Sequence, residues 1–194
     1  MNAVTWFIQC LTITVPLLVA GLCLVIVLKR GLLKWLDLPL DANLRLRQRR
    51  ILGNHKTLKG AVVLILFTIA STWALHSLQP YAPNVIHPIF AQPPLALGLV
   101  YAVGYILGEL INSFIKRQLD IAPGDLHYTW RQLQRFFDLA DGIALTTLLL
   151  GVLWPIYATQ FFVAATIGIV FHYLIEILMQ HLSLKPKLQT NPGN

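Results

Sequence analysis

The chain has 194 residues, 56% apolar and only 12% charged, with mean hydropathy +0.65 and a net charge of +7. That balance excludes an ordinary water-soluble domain and reads as an all-α integral membrane protein. Its two cysteines, Cys10 and Cys23, are both in the first apolar run, about 20 Å apart along one helix, and imply neither a disulfide nor a metal pair.

Five apolar stretches follow one another: residues 5–28, 61–78, 94–115, 138–154 and 157–179. Each is near the ~20 residues that cross a bilayer, so about five transmembrane helices are expected. No Lys or Arg precedes the first run, which is therefore expected to stay in the mature chain rather than act as a signal peptide. The chain reads as one membrane-embedded domain, residues 1–194, with a flexible tail over 183–194.

Charge sets the expected orientation. Nine Lys/Arg fall within residues 29–60, four within 116–137, and Lys185 and Lys187 complete the fifteen. The connections 79–93 and 155–156 carry none. The positive-inside rule then makes 29–60 and 116–137 cytoplasmic loops, with the C-terminus cytoplasmic and the N-terminus outside, in a multi-pass protein of the cell (inner) membrane. Trp73, Tyr81, Trp154 and Tyr157 fall where an outer aromatic belt is expected.

The basic loop contains GNHKTLKG, Gly53 to Gly60. Cationic flanks that orient helices and touch anionic lipid need only charge. Here Lys56 and Lys59 come with Thr57, His55 and two glycines that permit tight turns and close backbone approach, a mixture suited to phosphate. It is not a nucleotide-binding P-loop, because His55 and not Gly precedes Lys56.

In the third span, GELINSFIKR places Glu109, Asn112, Ser113 and Lys116 on one helix face. An intramembrane carboxylate costs on the order of 3 kcal/mol and therefore faces a bundle interior or a wet cavity. A Glu109–Lys116 bridge, or an interfacial Glu109, is the plainer alternative. Gly104 and Gly108 form a small-xxx-small pair that lets another helix come close. In FFDLAD, Asp138 and Asp141 are three residues apart at the expected start of the fourth span. Helix capping would explain one acid; a Mg²⁺ ion, which takes one or two carboxylates with waters and phosphate oxygens, would use both. Near the end of the last span, His172 and Glu176 are spaced to interact at i and i+4, or to serve as interfacial polar residues.

Together these residues resemble CDP-archaeol synthases. PLDANLRLRQRRILGNHKTLKG, Pro39 to Gly60, is similar to that family's basic loop, which runs Pro-Ile/Leu-Asp, then Gly-Arg-Arg-Ile-Leu/Phe-Gly, then Lys-Thr-Trp-Arg-Gly. GELINSFIKR and DLAD are similar to Gly-Asp-Leu-x-x-Ser-x-x-Lys-Arg and Asp-x-x-Asp elements shared with the wider phosphatidate cytidylyltransferases. Glu109 stands where the family usually has Asp, Leu58 and Lys59 replace Trp-Arg, and Leu139 takes a polar position.

The resemblance implies a CTP-dependent cytidylyltransferase that converts a lipid phosphate, archaetidic-acid-like or phosphatidate-like, into a CDP-lipid and pyrophosphate. It implies Mg²⁺ held by Asp138 and Asp141 with Glu109, and phosphates clamped by Lys56, Lys116 and Arg117. Thr57, Asn112 and Ser113 would donate hydrogen bonds, while Asp41, Arg49 and Arg50 order the loop or receive the lipid phosphate. The expected partners are CTP, the lipid phosphate and membrane lipids, with no nucleic acid; a homo-oligomer stays open. Two other classes remain at this point. One is a catalytically silent protein whose basic loops bind anionic lipid or a partner. The other is a small transporter, against which the acids and cations gather on one side.

Overall fold

Asn2 caps the first helix by accepting from the Thr5 amide at 2.8 Å, and the apolar run behind it continues as α1, Ala3–Lys29. Thr57 caps α2, Leu58–Leu78. Consecutive prolines open α3, Pro94–Gln118, since a proline in the first turn lacks only an amide that would be unpaired anyway. Helices α4, Arg131–Leu153, and α5, Ala158–His181, are joined by a single tight turn at Pro155–Tyr157. The computed structural model describes residues 2–122, 125–126 and 129–184. Residues 185–194, with Lys185, Lys187 and most of the expected tail, lie outside the described residues.

All five helices are long and apolar enough to span a bilayer, so the chain is an all-α, multi-pass membrane protein. Each helix packs on its sequence neighbour and α5 returns to α1, which closes a five-membered ring. Helices α3 and α4 approach closely and share the most extensive packing. A Cβ on Gly104 would meet the Thr146 Cα at 2.7 Å, and one on Gly108 would meet the Gly142 Cα at 2.7 Å. The small-xxx-small pair thus brings α4 against α3 at the level of the acids.

Two boundaries differ from the sequence expectation. Helix α4 begins seven residues before Asp138, because residues 131–137 keep the helical repeat: Gln134 is buried and donates to the Asp125 carbonyl at 3.0 Å, while Phe136 and Phe137 face outward. The connections left between the long helices are therefore 30–57 and 119–130, shorter than 29–60 and 116–137. Gly60 is not at a turn but in the first turn of α2, whereas Gly53 adopts φ +90°, where a side chain would be strained.

The connection 30–57 is itself ordered. Pro39 bridges Thr57, with Leu40 N donating to Lys56 O at 2.8 Å and Leu58 N to Leu38 O at 2.9 Å. Inside it, β1, Arg45–Leu46, pairs antiparallel with β2, Arg49–Arg50, across Arg47 and Gln48, both at positive φ as a type I′ turn requires. Asp41 is the hub. Burial alone would push its carboxyl up, but hydrogen bonds from Arg50 and from the amides of Leu52, Gly53 and Asn43 outweigh that and hold it at about 2.

At the opposite end, residues 79–93 fold over the ring. Ile86, Ile89 and Phe90 are buried against Leu97, Tyr101 and Phe161, and the Tyr101 hydroxyl donates to the Ile13 carbonyl at 2.9 Å. Gln9 reaches Pro83 O at 2.9 Å. The Tyr157 ring stands edge-on to the buried His87 at 4.7 Å, so this residue packs on the core as well as at the surface. Trp73 and Tyr81 face outward, as belt residues should. The apolar core closes this end of the ring, opposite the basic loops.

Candidate functional site

A cavity of about 540 Å³ occupies the interior of the ring. One end is lined by Lys56, Glu109, Lys116, Arg117, Asp138 and Asp141. The other end, toward the core, is lined by Ile13, Leu17, Tyr101, Leu150 and Phe161. A single space inside the membrane region therefore joins a charged chamber to an apolar one.

The charged chamber is built from two ion pairs. Lys56, immediately before the Thr57 cap, donates to Glu109 Oε2 at 2.6 Å. Lys116 donates to Asp138 Oδ1 at 2.7 Å. The plainer sequence alternative, a Glu109–Lys116 bridge, is not what forms: two turns of α3 separate them, and each finds a partner from another segment. Asn112 Nδ2 donates to Asp138 Oδ1 and to Asp141 Oδ2, both at 2.7 Å. One amide thus holds the two carboxylates on the α3 side of α4. Asp141 also accepts from the Gly142 amide at 2.6 Å.

Helix capping does not account for these acids. The first turn of α4 contains no acid, and Asp138 is two turns inside the helix. Two carboxylates facing a cavity, within reach of one nitrogen, offer the hard oxygen donors that Mg²⁺ takes along with waters and phosphate oxygens. The donor chemistry fits the ion implied by the resemblance. Glu109, however, is paired with Lys56, and among the described residues no three acids, histidines or cysteines converge as a ready-made metal cage.

The remaining predicted residues divide by what they touch. Arg117 lines the cavity, and its buried Nε has no hydrogen-bond partner among the described residues. Ser113 is buried and also lines it. Thr57 lines the cavity while its hydroxyl accepts from the Gly60 amide at 3.4 Å as the α2 cap. Asp41, Arg49 and Arg50 do not reach the chamber. Arg50 bonds Asp41 and Asn54, and Arg49 bonds Asp120 and the Gln118 carbonyl, tying the hairpin to the end of α3. Both arginines order the loop. The substituted Lys59 is buried and pairs with Asp37 at 2.7 Å, anchoring the turn at Lys34–Leu36.

Several cavity residues were not singled out in the sequence. Asp125 and Arg135 line the charged end, and Tyr105 lies one turn below Glu109. His172 and Glu176, which the sequence spaces at i and i+4, also line the cavity. His172 bonds the Leu139 carbonyl at 2.9 Å and faces the Tyr105 hydroxyl at 3.3 Å. The extension of GELINSFIKR by one turn backward, to Tyr105 at i−4 from Glu109, was the available signal.

The family described as CarS-like, CDP-archaeol synthase, matches residues 5–188. The chain belongs to the CDP-archaeol synthase family. Among curated relatives, the CDP-archaeol synthase of Halobacterium salinarum is 36% identical over 81 residues, covering 41% of this chain and 44% of that protein. The CDP-archaeol synthase of Methanospirillum hungatei is 33% identical over 107 residues, 55% of this chain and 60% of that one. For the CDP-archaeol synthase of Methanoregula boonei the figures are 26% over 136 residues, 70% and 74%. The chain spans about half the length of the first two relatives in these matches. No solved structure matches it.

Proposed function

We propose that this chain transfers a cytidylyl group from CTP to a lipid phosphate, giving a CDP-lipid and pyrophosphate, in the cell membrane. The observation that carries this reading is the single cavity with a cation-and-carboxylate chamber at one end and an apolar chamber at the other. Such a space suits a molecule with a phosphate head and a hydrocarbon chain. Family membership supports the choice of CTP, and the names of the relatives support an archaeal-type ether lipid as acceptor.

In the reaction an oxygen of the lipid phosphate attacks the α-phosphorus of CTP, and the α–β phosphoanhydride bond breaks to release pyrophosphate. Nucleophile and electrophile are both anionic, so the protein's task is to neutralise charge and align the two groups. Lys56, Lys116 and Arg117 supply fixed positive charge, and Ser113 and Thr57 supply hydroxyls at the chamber wall. Asp138 and Asp141 would hold Mg²⁺, whose charge offsets that of the triphosphate when bound. Asn112 keeps the two carboxylates converged. No protein nucleophile is required, because the lipid phosphate is itself the attacking group. With the basic end cytoplasmic, CTP enters from the cytosol and the lipid from between the helices.

The test is direct. Purified protein in detergent, given labelled CTP, Mg²⁺ and a panel of dialkyl and diacyl glycerol phosphates, should form a labelled CDP-lipid with at least one of them. Absence of product with every acceptor would sink the reading and favour a silent lipid-binding protein.

A further inference from the structure

Helices α3 and α5 do not pack on one another, yet the Tyr105 hydroxyl of α3 reaches His172 Nε2 of α5 across the cavity at 3.3 Å. His172 is fixed from behind: its Nδ1 lies 2.9 Å from the Leu139 carbonyl, which can only accept, so Nδ1 carries a proton. Leu139 stands between Asp138 and Asp141 in α4, so the ring is anchored to the backbone turn that carries both acids. Tyr105 is held as firmly. Its ring lies over Gly142, where a Cβ would come within 2.7 Å of Tyr105 Cδ2. Glu109 follows four residues on along the same face of α3 and lines the same cavity, one turn from that hydroxyl. Glu109 in turn receives the Lys56 ammonium at 2.6 Å.

These groups stand in one row, from the α4 backbone through His172 and Tyr105 to Glu109, one turn on, and its partner Lys56. Lysine is a flexible point charge on a four-carbon stem, and an ammonium that must meet a triphosphate gains from a fixed anchor. Polar side chains inside a membrane bundle are costly enough that a connected set of them calls for a role.

We propose that Tyr105 and His172 are positioning residues that act through Glu109 to fix the Lys56 ammonium in the charged chamber. The role of Lys56 rests on the cytidylyltransferase reading, but the mechanical link does not. It holds for any polyphosphate that Lys56 meets.

A double-mutant cycle tests it on the full chain in detergent. Tyr105→Phe keeps the ring over Gly142 and removes only the hydroxyl, so Tm and elution should match wild type. The kcat/KM for CTP should fall about tenfold in the Lys56 background and less than twofold when Lys56→Met is already present, since coupled residues are not additive. His172→Gln, which preserves a polar side chain, should show the same dependence on Lys56 in a milder form. An equal loss in both backgrounds would show that Tyr105 acts independently of Lys56 and would overturn the proposal. The same cycle is read without turnover as binding of inorganic tripolyphosphate by calorimetry. If wild type makes no CDP-lipid, the catalytic reading fails, and the presence or absence of coupling in the tripolyphosphate cycle still decides the positioning role.

Discussion

Lys56, the last residue before the cap of α2, places its Nζ 2.6 Å from Glu109 Oε2 in α3, fifty-three residues away. The pair joins a basic loop, whose charges orientation alone would explain, to an intramembrane carboxylate. Lys56→Ala should therefore insert normally, since eight other Lys/Arg remain within residues 29–60, yet lose activity by about a hundredfold. Labelled-CTP turnover and a membrane-fraction assay measure the two separately. Full activity in the variant would make Lys56 a topogenic charge only.

Asp41 makes the loop sensitive to acid in a defined window. Its carboxyl is held at about 2 in the folded loop, below the roughly 3.9 of a free Asp. A depressed carboxyl contributes its stabilisation above the unfolded value and loses it as pH falls through the folded one. The contribution, about 2 kcal/mol, should be complete at about pH 5, mostly lost by about pH 2 and gone near pH 1. Hydrogen exchange of residues 42–55 should show protection constant from pH 7 to pH 5 and collapsing below about pH 3. Asp41→Asn should remove that acid transition and loosen the loop at neutral pH.

Much of this was legible because a bilayer imposes simple rules. Span count followed from apolar length, and the convergence of Glu109, Asn112 and Lys116 followed from a 3.6-residue repeat. Two things were not. The start of α4 was hidden because residues 131–137 are amphipathic rather than apolar, so hydropathy placed the boundary at Asp138 and lent capping a plausibility that the helix removes. The partners of the cations were also hidden, because pairing Lys56 with Glu109 and Lys116 with Asp138 depends on which helices adjoin in the ring. Arg49 and Arg50 read equally well as ligands or loop ties from sequence; only the fold turns them toward Asp120 and Asp41.

Orientation can be tested apart from chemistry. In a background lacking Cys10 and Cys23, a cysteine replacing the exposed Asn84 should react with an impermeant thiol reagent added outside intact cells. One replacing Leu44, 61% exposed in the basic loop, should react only after permeabilisation. The opposite pattern would put the charged chamber on the outer side, away from cytosolic CTP.

The strongest separation of enzyme from silent binder comes from Asp141. It lies beyond the second turn of α4, with Asn112 on one carboxylate oxygen and the Gly142 amide on the other, so Asp141→Asn changes charge with little change in shape. If Asp138 and Asp141 jointly hold Mg²⁺, the loss leaves the triphosphate less neutralised as the α–β bond breaks. Turnover should fall a hundredfold or more, corresponding to roughly 3 kcal/mol of lost electrostatic stabilisation. Tm should move little, because the amide oxygen can still accept from Gly142 and Asn112, losing its bond to position 141, keeps the one to Asp138. Asp138→Asn should cost as much activity and more stability, since it also leaves Lys116 without its carboxylate partner. Raising Mg²⁺ should partly restore Asp141→Asn, as expected when a ligand is weakened and not when a helix is merely destabilised. Near-normal CDP-lipid formation by Asp141→Asn would remove the metal assignment and leave Lys56, Lys116 and Arg117 to carry the charge neutralisation without it.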